Sequence, residues 1–155
     1  MTISHAPAGY DCPFCRLAAG RYDDKHQPED VVGRNDGAIA FIAPKWWPRN
    51  EGHVLVVPTG HYENLYDLPP QAGHAVHDLV REMAIAIRST YGCDGTSTRQ
   101  HNEPAGYQDV WHYHVHVFPR YHDDLLYRTQ ATPIWVDADR RRPYADRIRG
   151  YLNRR

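Results

Sequence analysis

The chain has 155 residues, a formal net charge of −1, 11 histidines and 3 cysteines. This length predicts one domain with a core of its own, and the near-neutral charge argues against a protein that generally coats nucleic acid. No stretch is long and apolar enough to span a membrane, residues 1–9 lack the charged start and apolar run of a secretory signal, and the cysteines do not make a disulfide framework. We therefore expect a cytoplasmic protein.

The first motif in the chain is Cys12-Pro-Phe-Cys15. Such a pair is a redox motif when it lies in a βαβ unit, but the short preceding segment contains Pro and Gly and does not predict a strand. The two cysteines can also lack any chemical role. We favour half of a zinc site, because structural zinc takes four Cys or His ligands and this chain has histidines to supply the other two.

Residues 31–42 predict a β-hairpin, because two apolar runs flank a turn that contains Asp36-Gly37. The following loop, residues 43–52, is rich in residues that break regular structure and contains Trp46 and Trp47. These two side chains are suited either to cap the core or to wall a pocket for a planar ligand. The sequence does not favour one of these roles.

Residues 53–58 predict a short buried strand, with His53 at its start and His61 just beyond its end. A helix is predicted from about residues 68–70 to residue 91. Its core-facing stripe comprises Val76, Leu79, Val80, Met83 and Ile87. His74 and His77 lie close enough on this helix to share a metal, but we expect both to be solvated. A less regular strand at 96–100 leads into a loop where Asn102 and Gln108 are candidates for binding a polar ligand.

The strongest pattern in the chain runs from Asp109 to Arg120. Three histidines alternate there with apolar residues: His112, His114 and His116 with Tyr113, Val115, Val117 and Phe118. Alternation with period two among β-branched and aromatic residues predicts a strand, with three imidazoles on one face and an apolar row facing the core. Imidazole is both a metal ligand and a nucleophile, so the row predicts a metal site, a covalent mechanism, or both.

The C-terminal part of the chain has weaker patterns. Residues 121–142 read as loop with a short apolar piece at 134–136, and a final helix is predicted at 143–152 with Pro143 in its first position. The arginines of this tail, interleaved with Asp, predict a solvated face. Contact with nucleic acid or another anionic ligand is the less favoured alternative.

These features, in this order, resemble the histidine triad (HIT) superfamily of nucleotide hydrolases and transferases. The signature His-φ-His-φ-His-φ-φ, with φ apolar or aromatic, matches residues 112–118, and the resemblance extends over roughly residues 12–120. It implies an α+β fold, in which an antiparallel β-sheet packs against a long helix, usually as a homodimer. We expect a HIT-like domain at 1–120 after a short tail at 1–11, and a C-terminal extension at 121–155 that packs on or flanks it.

The resemblance also implies roles for individual residues. His114 matches the nucleophile that attacks the α-phosphate of a nucleotide. The catalytic candidates are His114, His116, His53 and Gln108, of which His116 and His53 match positions that contact the phosphate. The nucleotide-binding candidates are Phe41, in the base pocket, and Asn102, Gln108 and His116. The candidate ligands of a structural zinc are Cys12, Cys15, His61 and His112.

Two positions depart from the family pattern. Ala43 stands where many members carry an acid that holds the ribose hydroxyls, so this methyl group leaves the ribose to another residue or holds it less tightly. Asp109 stands where many members have Ser. A carboxylate repels a phosphate unless a cation or N–H group offsets it, so Asp109 is either offset in this way or faces away and orients a neighbour.

Three functions remain open. We favour a nucleotide hydrolase that releases a nucleoside monophosphate from a phosphoramidate or a dinucleoside polyphosphate. The alternatives are a nucleotidyltransferase or phosphorylase with the same site, and a non-catalytic module that binds nucleotides or a partner. Many transferases of the superfamily have Gln at the third histidine position, so His116 favours hydrolysis.

Overall fold

The computed structural model describes residues 3–128 and 132–155. Residues 1 and 2 of the predicted tail and residues 129–131 of the predicted extension lie outside this description. The strands are Val31–Arg34 (β1), Ala38–Ile42 (β2), Lys45–Trp46 (β3), Val54–Pro58 (β4), Gly95–Gln100 (β5), Val115–Arg120 (β6) and Ile134–Trp135 (β7). The helices are Pro13–Ala18 (α1), Pro70–Thr90 (α2) and Ala138–Leu152 (α3), with short 3-10 turns at Pro28–Asp30 and Pro104–Gly106.

Five of the strands form one antiparallel sheet in the order β1-β2-β4-β6-β5, and β3 pairs with β7 in a separate two-stranded sheet. All residues of β2 and β4 are buried, because both faces of the sheet centre are covered. The predicted hairpin is confirmed as β1 and β2. The side-chain oxygen of Asn35 accepts hydrogen bonds from the backbone N–H groups of Gly37 and Ala38 and closes the turn.

The long helix α2 covers one face of this sheet, packing against β2, β4 and β6. Pro70 occupies its first turn, where a missing backbone N–H costs no hydrogen bond. Its buried residues include Val76, Leu79, Met83 and Ile87, as the helical spacing predicts. His74 and His77 are exposed on the opposite side, as expected. The sheet and its packed helix confirm the predicted α+β fold.

The predicted strand at 109–120 is shorter than expected and begins at Val115. The neighbouring strand β4 ends at Pro58, which has no N–H to donate, and the Pro58 carbonyl oxygen is bonded by the His112 ring instead. His112 and His114 therefore lie in irregular backbone before β6. A second correction concerns Phe118, which shares the histidine face: its ring stacks on that of His116, with centroids 5.4 Å apart.

The C-terminal helix also differs from the prediction. It begins at Ala138, five residues before the predicted start, so Pro143 lies inside it and cannot donate to the carbonyl of Asp139. Most arginines of the tail are exposed, but Arg141 is 1% exposed and makes two hydrogen bonds of 2.8 Å to the carboxylate of Asp30. The solvated-face interpretation is therefore wrong for Arg141, which ties α3 to the turn before β1.

The segment before α3 belongs to the fold as well. The short apolar piece at 134–136, expected to lie in a loop, supplies β7, which pairs with β3 in the loop after β2.

Within residues 3–128 and 132–155, no helix has the length and apolar character needed to cross a bilayer. The homodimer stays a prediction.

Candidate active site and metal cluster

A cavity of about 410 Å³ opens on the face of the sheet that carries the histidines. Four parts of the chain wall it: α1, the segment before β1, the loop after β2, and the segment around β7. The lining side chains that matter for the chemistry are His53, Asp109, His114, His116, Trp47 and Trp135.

His114 is 2% exposed and its ring is fixed by the backbone. Nδ1 lies 2.7 Å from the carbonyl oxygen of His112. A carbonyl oxygen only accepts, so Nδ1 carries the ring proton and Nε2 retains its lone pair. This is the tautomer that a nucleophilic imidazole requires.

Asp109 lies beside the free nitrogen of that ring. Its Oδ1 is 3.6 Å from Nε2 of His114, which is an electrostatic contact and too long for a hydrogen bond. The His114 imidazole is the main cause that keeps the pKa of Asp109 below its usual value. The carboxylate is therefore ionised and placed where positive charge on His114 would be stabilised.

His53 and His116 form a pair of imidazoles on the sheet side of the cavity, which is called the cavity floor below. Nδ1 of His116 lies 3.3 Å from Nε2 of His53, and the rings stack with centroids 5.4 Å apart. Burial lowers the pKa of His53 to about 3 and that of His116 well below its usual value, with Arg99 and the neighbouring histidines adding to both shifts. Both rings are therefore neutral near pH 7, and a bound phosphate would favour their protonation.

The two tryptophans of the loop after β2 have separate roles. Trp46 is 1% exposed and donates its indole N–H to the carbonyl of Ala43, so it packs in the core. Trp47 lines the cavity, with its ring centroid 5.8 Å from that of His53. Each of the two roles considered from the sequence is thus filled by one of them.

A cluster of potential metal ligands includes His112, the first histidine of the triad. One ligand atom from each of Cys12, Cys15, His61 and His112 lies within 4.8 Å of all the others. Sγ of Cys12 is 3.3 Å from Nδ1 of His112, and Sγ of Cys15 is 3.3 Å from Nδ1 of His61. Tetrahedral zinc with bonds of about 2.3 Å to sulfur and 2.0 Å to nitrogen places such atoms about 3.5 Å apart.

The tautomer of His112 and the state of the thiols also fit a metal ion. Nε2 of His112 donates to the carbonyl of Pro58 at 2.9 Å, which leaves Nδ1 free toward the sulfurs. Burial and the adjacent Cys12 raise the pKa of Cys15 to about 12, and a cation would reverse this effect by stabilising the thiolate. Both cysteines are free of disulfides, and no strand precedes them in residues 3–11, which argues against the redox alternative.

Residues 24–123 of the chain match the HIT domain family. The chain belongs to the HIT family. It is 32% identical over 111 residues to Protein hit of Bacillus subtilis, covering 72% of each chain. It is 28% identical over 121 residues to Adenylylsulfatase HINT3 of Arabidopsis thaliana, covering 78% of this chain and 58% of that protein. A crystal structure of a Hit-like protein from Bartonella henselae aligns with a TM-score of 0.76 at 28% identity, covering 90% of this chain and 95% of that one.

Three of the residues predicted from the HIT resemblance lie behind the cavity rather than in its wall. Gln108 is buried, donates to the carbonyls of Glu63 and Val110, and accepts from the N–H of Glu103. The side-chain oxygen of Asn102 accepts from the N–H of Leu65 and from Gln100. Phe41 is fully buried and packs against Phe14 and His26, which line the cavity. These side chains shape the loops and the wall around the histidines.

Part of the cavity wall in this HIT protein was missed by the sequence argument. Trp135 in β7 is 55% exposed and lines the cavity, with the ammonium groups of Lys25 and Lys45 lying 4.1 Å and 4.9 Å from its ring centroid. It lies beyond residue 123, where the family match ends. The apolar residues 134–136 in a polar tail were the available signal, but their pairing with β3 is a long-range contact that local pattern does not reveal.

Proposed function

We propose that this HIT protein is a nucleotide hydrolase in which His114 attacks the α-phosphate of a nucleotide and forms a nucleotidyl-histidine intermediate. The observation that carries the proposal is the geometry of His114. Its Nδ1–H is held by the His112 carbonyl, and its Nε2 lone pair faces Asp109 at the cavity. A nucleophile oriented before substrate arrives lowers the entropic cost of attack.

The proposed reaction has two displacement steps at phosphorus. In the first, a bond forms between Nε2 of His114 and the α-phosphorus, and the bond to the leaving group breaks with its electron pair going to that group. In the second, water attacks the same phosphorus, the P–N bond breaks, and its electron pair returns to Nε2. The water loses a proton to solvent, and a nucleoside monophosphate is released. Covalent catalysis divides one difficult displacement into two easier ones.

The neighbouring residues have distinct proposed roles in these steps. The ring of His114 becomes cationic when Nε2 bonds to phosphorus, and the Asp109 carboxylate stabilises that charge. His53 and His116 present ring N–H groups to the non-bridging oxygens of the phosphate. Because desolvation keeps both rings neutral in the free protein, an anion at this position offsets the unfavourable desolvation of these polar groups.

The nucleoside is proposed to occupy the remainder of the same cavity. Phe14, His26 and Trp135 supply aromatic surface for a base, and Trp47 lies beside the phosphate position. Phe41 supports this wall from behind, and Asn102 and Gln108 hold the loops next to it. Ala43 lines the cavity but has no acceptor for the ribose hydroxyls, so we expect the ribose to be held only weakly at this position.

Zinc is proposed to bind Cys12, Cys15, His61 and His112. The donor set and its spacing fit the ion, which would supply a structural crosslink between three separated parts of the chain. These residues would hold α1 and the loop after β4 beside the triad. The backbone carbonyl of the ligand His112 is the group that orients His114.

The competing activities are separated by the acceptor of the nucleotidyl group. The Arabidopsis relative is named an adenylylsulfatase, which supports hydrolysis, and His116 at the third triad position does the same. A phosphorylase with this site would release product only when phosphate is added. A binding module would bind a nucleoside monophosphate and turn over no nucleotide.

The proposal is tested by the intact mass of the protein within seconds of mixing with adenosine phosphoramidate or, separately, diadenosine tetraphosphate. We expect a transient mass increase of one adenylyl group, absent in His114→Ala and retained in the exposed-histidine control His74→Ala. Turnover that persists at the wild-type rate in His114→Ala would overturn the mechanism. Binding of AMP without adduct or product from a panel of nucleotides with different bases would favour the binding module.

A further inference from the structure

Arg99 of β5 lies directly opposite His116 of the adjacent strand β6. The two residues are paired in the register of β5 and β6, so their side chains point to the same face. The Arg99 guanidinium carbon is 4.9 Å from the ring centroids of both Trp47 and Phe118. These rings hold the cation over the cavity floor next to the position proposed for the phosphate.

The charge of Arg99 has no counterion in the described parts of the chain. No carboxylate within residues 3–128 and 132–155 forms an ion pair with it, and its buried Nε has no hydrogen-bond partner in the same ranges. Arg120 on the same sheet differs, because it makes hydrogen bonds of 2.7 Å and 3.0 Å to Asp124. An unsatisfied, partly buried guanidinium is costly, and an anionic ligand would satisfy it.

A second cavity of about 280 Å³ contains this cation. It is lined by Trp47, Arg99, His101, Tyr107, Asp109, His116 and Pro133. Trp47, Asp109, His116 and Pro133 also line the first cavity, so the two spaces meet at His116. A group bonded to a phosphorus atom near His116 and directed away from the nucleoside would enter the second cavity.

We propose that the second cavity binds the leaving group and that Arg99 selects leaving groups that carry negative charge. This inference rests on the proposed hydrolase function. It makes the preferred substrates mixed anhydrides between a nucleoside monophosphate and another oxyacid, such as dinucleoside polyphosphates and adenylyl sulfate. Phosphoramidates with neutral amine leaving groups become the poorer substrates.

The charge that develops as the leaving group departs supports a preference of Arg99 for anionic leaving groups. When the bond from phosphorus to the bridging oxygen breaks, that oxygen takes the electron pair and gains negative charge, which Arg99 stabilises without any proton transfer. A departing amine instead needs a proton and approaches positive charge, which Arg99 opposes. The same cavity provides the His101 ring, 6.1 Å from that of His116, as a further hydrogen-bond donor.

Asp109 is the carboxylate that lines the second cavity, and its charge opposes an oxyanion. Its Oδ1, however, lies 3.6 Å from Nε2 of His114, the atom that becomes part of a cationic ring as the leaving group departs. The charges that develop in this step are thus paired locally, Asp109 with His114 and Arg99 with the leaving group. Tyr107, 83% exposed at the cavity rim, offers an aromatic face to a second base.

The test compares kcat/KM for adenylyl sulfate, diadenosine tetraphosphate and adenosine phosphoramidate in the wild type and Arg99→Gln. We expect Arg99→Gln to lower kcat/KM about tenfold or more for the two oxyanion substrates and to change it less than twofold for the phosphoramidate. Arg99→Lys should restore part of the loss. The matched control is Arg34→Gln, an exposed strand arginine at the opposite edge of the sheet, for which all three values should stay unchanged.

The outcomes separate the two proposals. An equal fall for all three substrates, or no fall for any, would overturn the role of Arg99 while leaving covalent catalysis at His114 intact. A wild-type protein that forms no adenylyl adduct with any substrate would instead refute the hydrolase. In that case calorimetric binding of pyrophosphate to the AMP-loaded protein still decides whether the cavity is an anion site. Binding that is at least tenfold weaker in Arg99→Gln supports the site, and equal binding overturns it.

Discussion

His112 and His114 are two residues apart and use opposite ring nitrogens. In His112, Nε2 donates to the carbonyl of Pro58, so Nδ1 is free and points at two thiols. In His114, Nδ1 donates to the carbonyl of His112, so Nε2 is free at the cavity. The comparison shows that the backbone carbonyl beside each ring, more than the residue type, decides which nitrogen is available and for what chemistry.

The largest effect is expected when the His112 imidazole, the candidate zinc ligand of the two rings, is removed. In His112→Asn we expect loss of bound zinc, measured by elemental analysis, and a fall in the free energy of unfolding of about 3 kcal/mol or more. The adenylyl adduct at His114 should still form, though more slowly, because residue 112 retains its backbone carbonyl. His77→Asn, an exposed-histidine control, should retain zinc. Full zinc content in His112→Asn would show that the cluster is not the metal site.

A smaller effect is expected from the carboxylate that accompanies only one of the two rings. Asp109→Asn should slow adduct formation at His114 about fivefold to tenfold, because the carboxylate no longer stabilises the cationic ring. Solvent screening of this exposed side chain keeps the effect modest. Quenched-flow mass measurements give the rate, zinc content should be unchanged, and Asp78→Asn on the exposed face of α2 is the control. A rate equal to that of the wild type would remove Asp109 from the mechanism.

A third effect concerns His53, whose Nδ1 has no partner in the described parts of the chain. Burial, with Arg99 and His114 nearby, lowers its pKa to about 3, while the unfolded chain takes up a proton near pH 6.5. Between these values the unfolded state binds more protons, so stability falls as the pH falls. For this one ring the loss is about 2 kcal/mol between pH 7 and pH 5.

His53→Asn should remove that part of the pH dependence. Denaturant unfolding at pH 7 and pH 5 measures it, and His74→Asn, which alters an exposed ring, should behave like the wild type. His116, which is half-buried and has a pKa well below its usual value through desolvation, maintains a residual dependence in every variant. A pH dependence in His53→Asn as steep as that of the wild type would show that His53 is not the buried neutral ring described above.

Elements that depend on local pattern were predicted well from the sequence. The hairpin of β1 and β2, the strand β4 and the helix α2 appear where turn residues and apolar periodicity placed them. The four candidate metal ligands, predicted through the HIT resemblance, lie together in the structure.

Features that depend on long-range partners were not predicted. The start of β6 depends on where β4 and β5 end, so alternation overestimated the strand by six residues. The pairing of β3 with β7 joins parts of the chain about 90 residues apart, and with it comes the Trp135 wall of the cavity. The cation at Arg99 becomes meaningful only through its register with His116, which local sequence does not encode.

The buried pair between Arg141 and Asp30 affects where this protein can be divided. The match to the HIT domain ends at residue 123. A chain cut there would leave the Asp30 carboxylate buried without its guanidinium, and losing one partner of a buried ion pair costs about 3–5 kcal/mol. That is comparable to the whole stability of a small domain. The match to the HIT family model therefore stops before α3, whereas the buried ion pair packs α3 against the turn before β1.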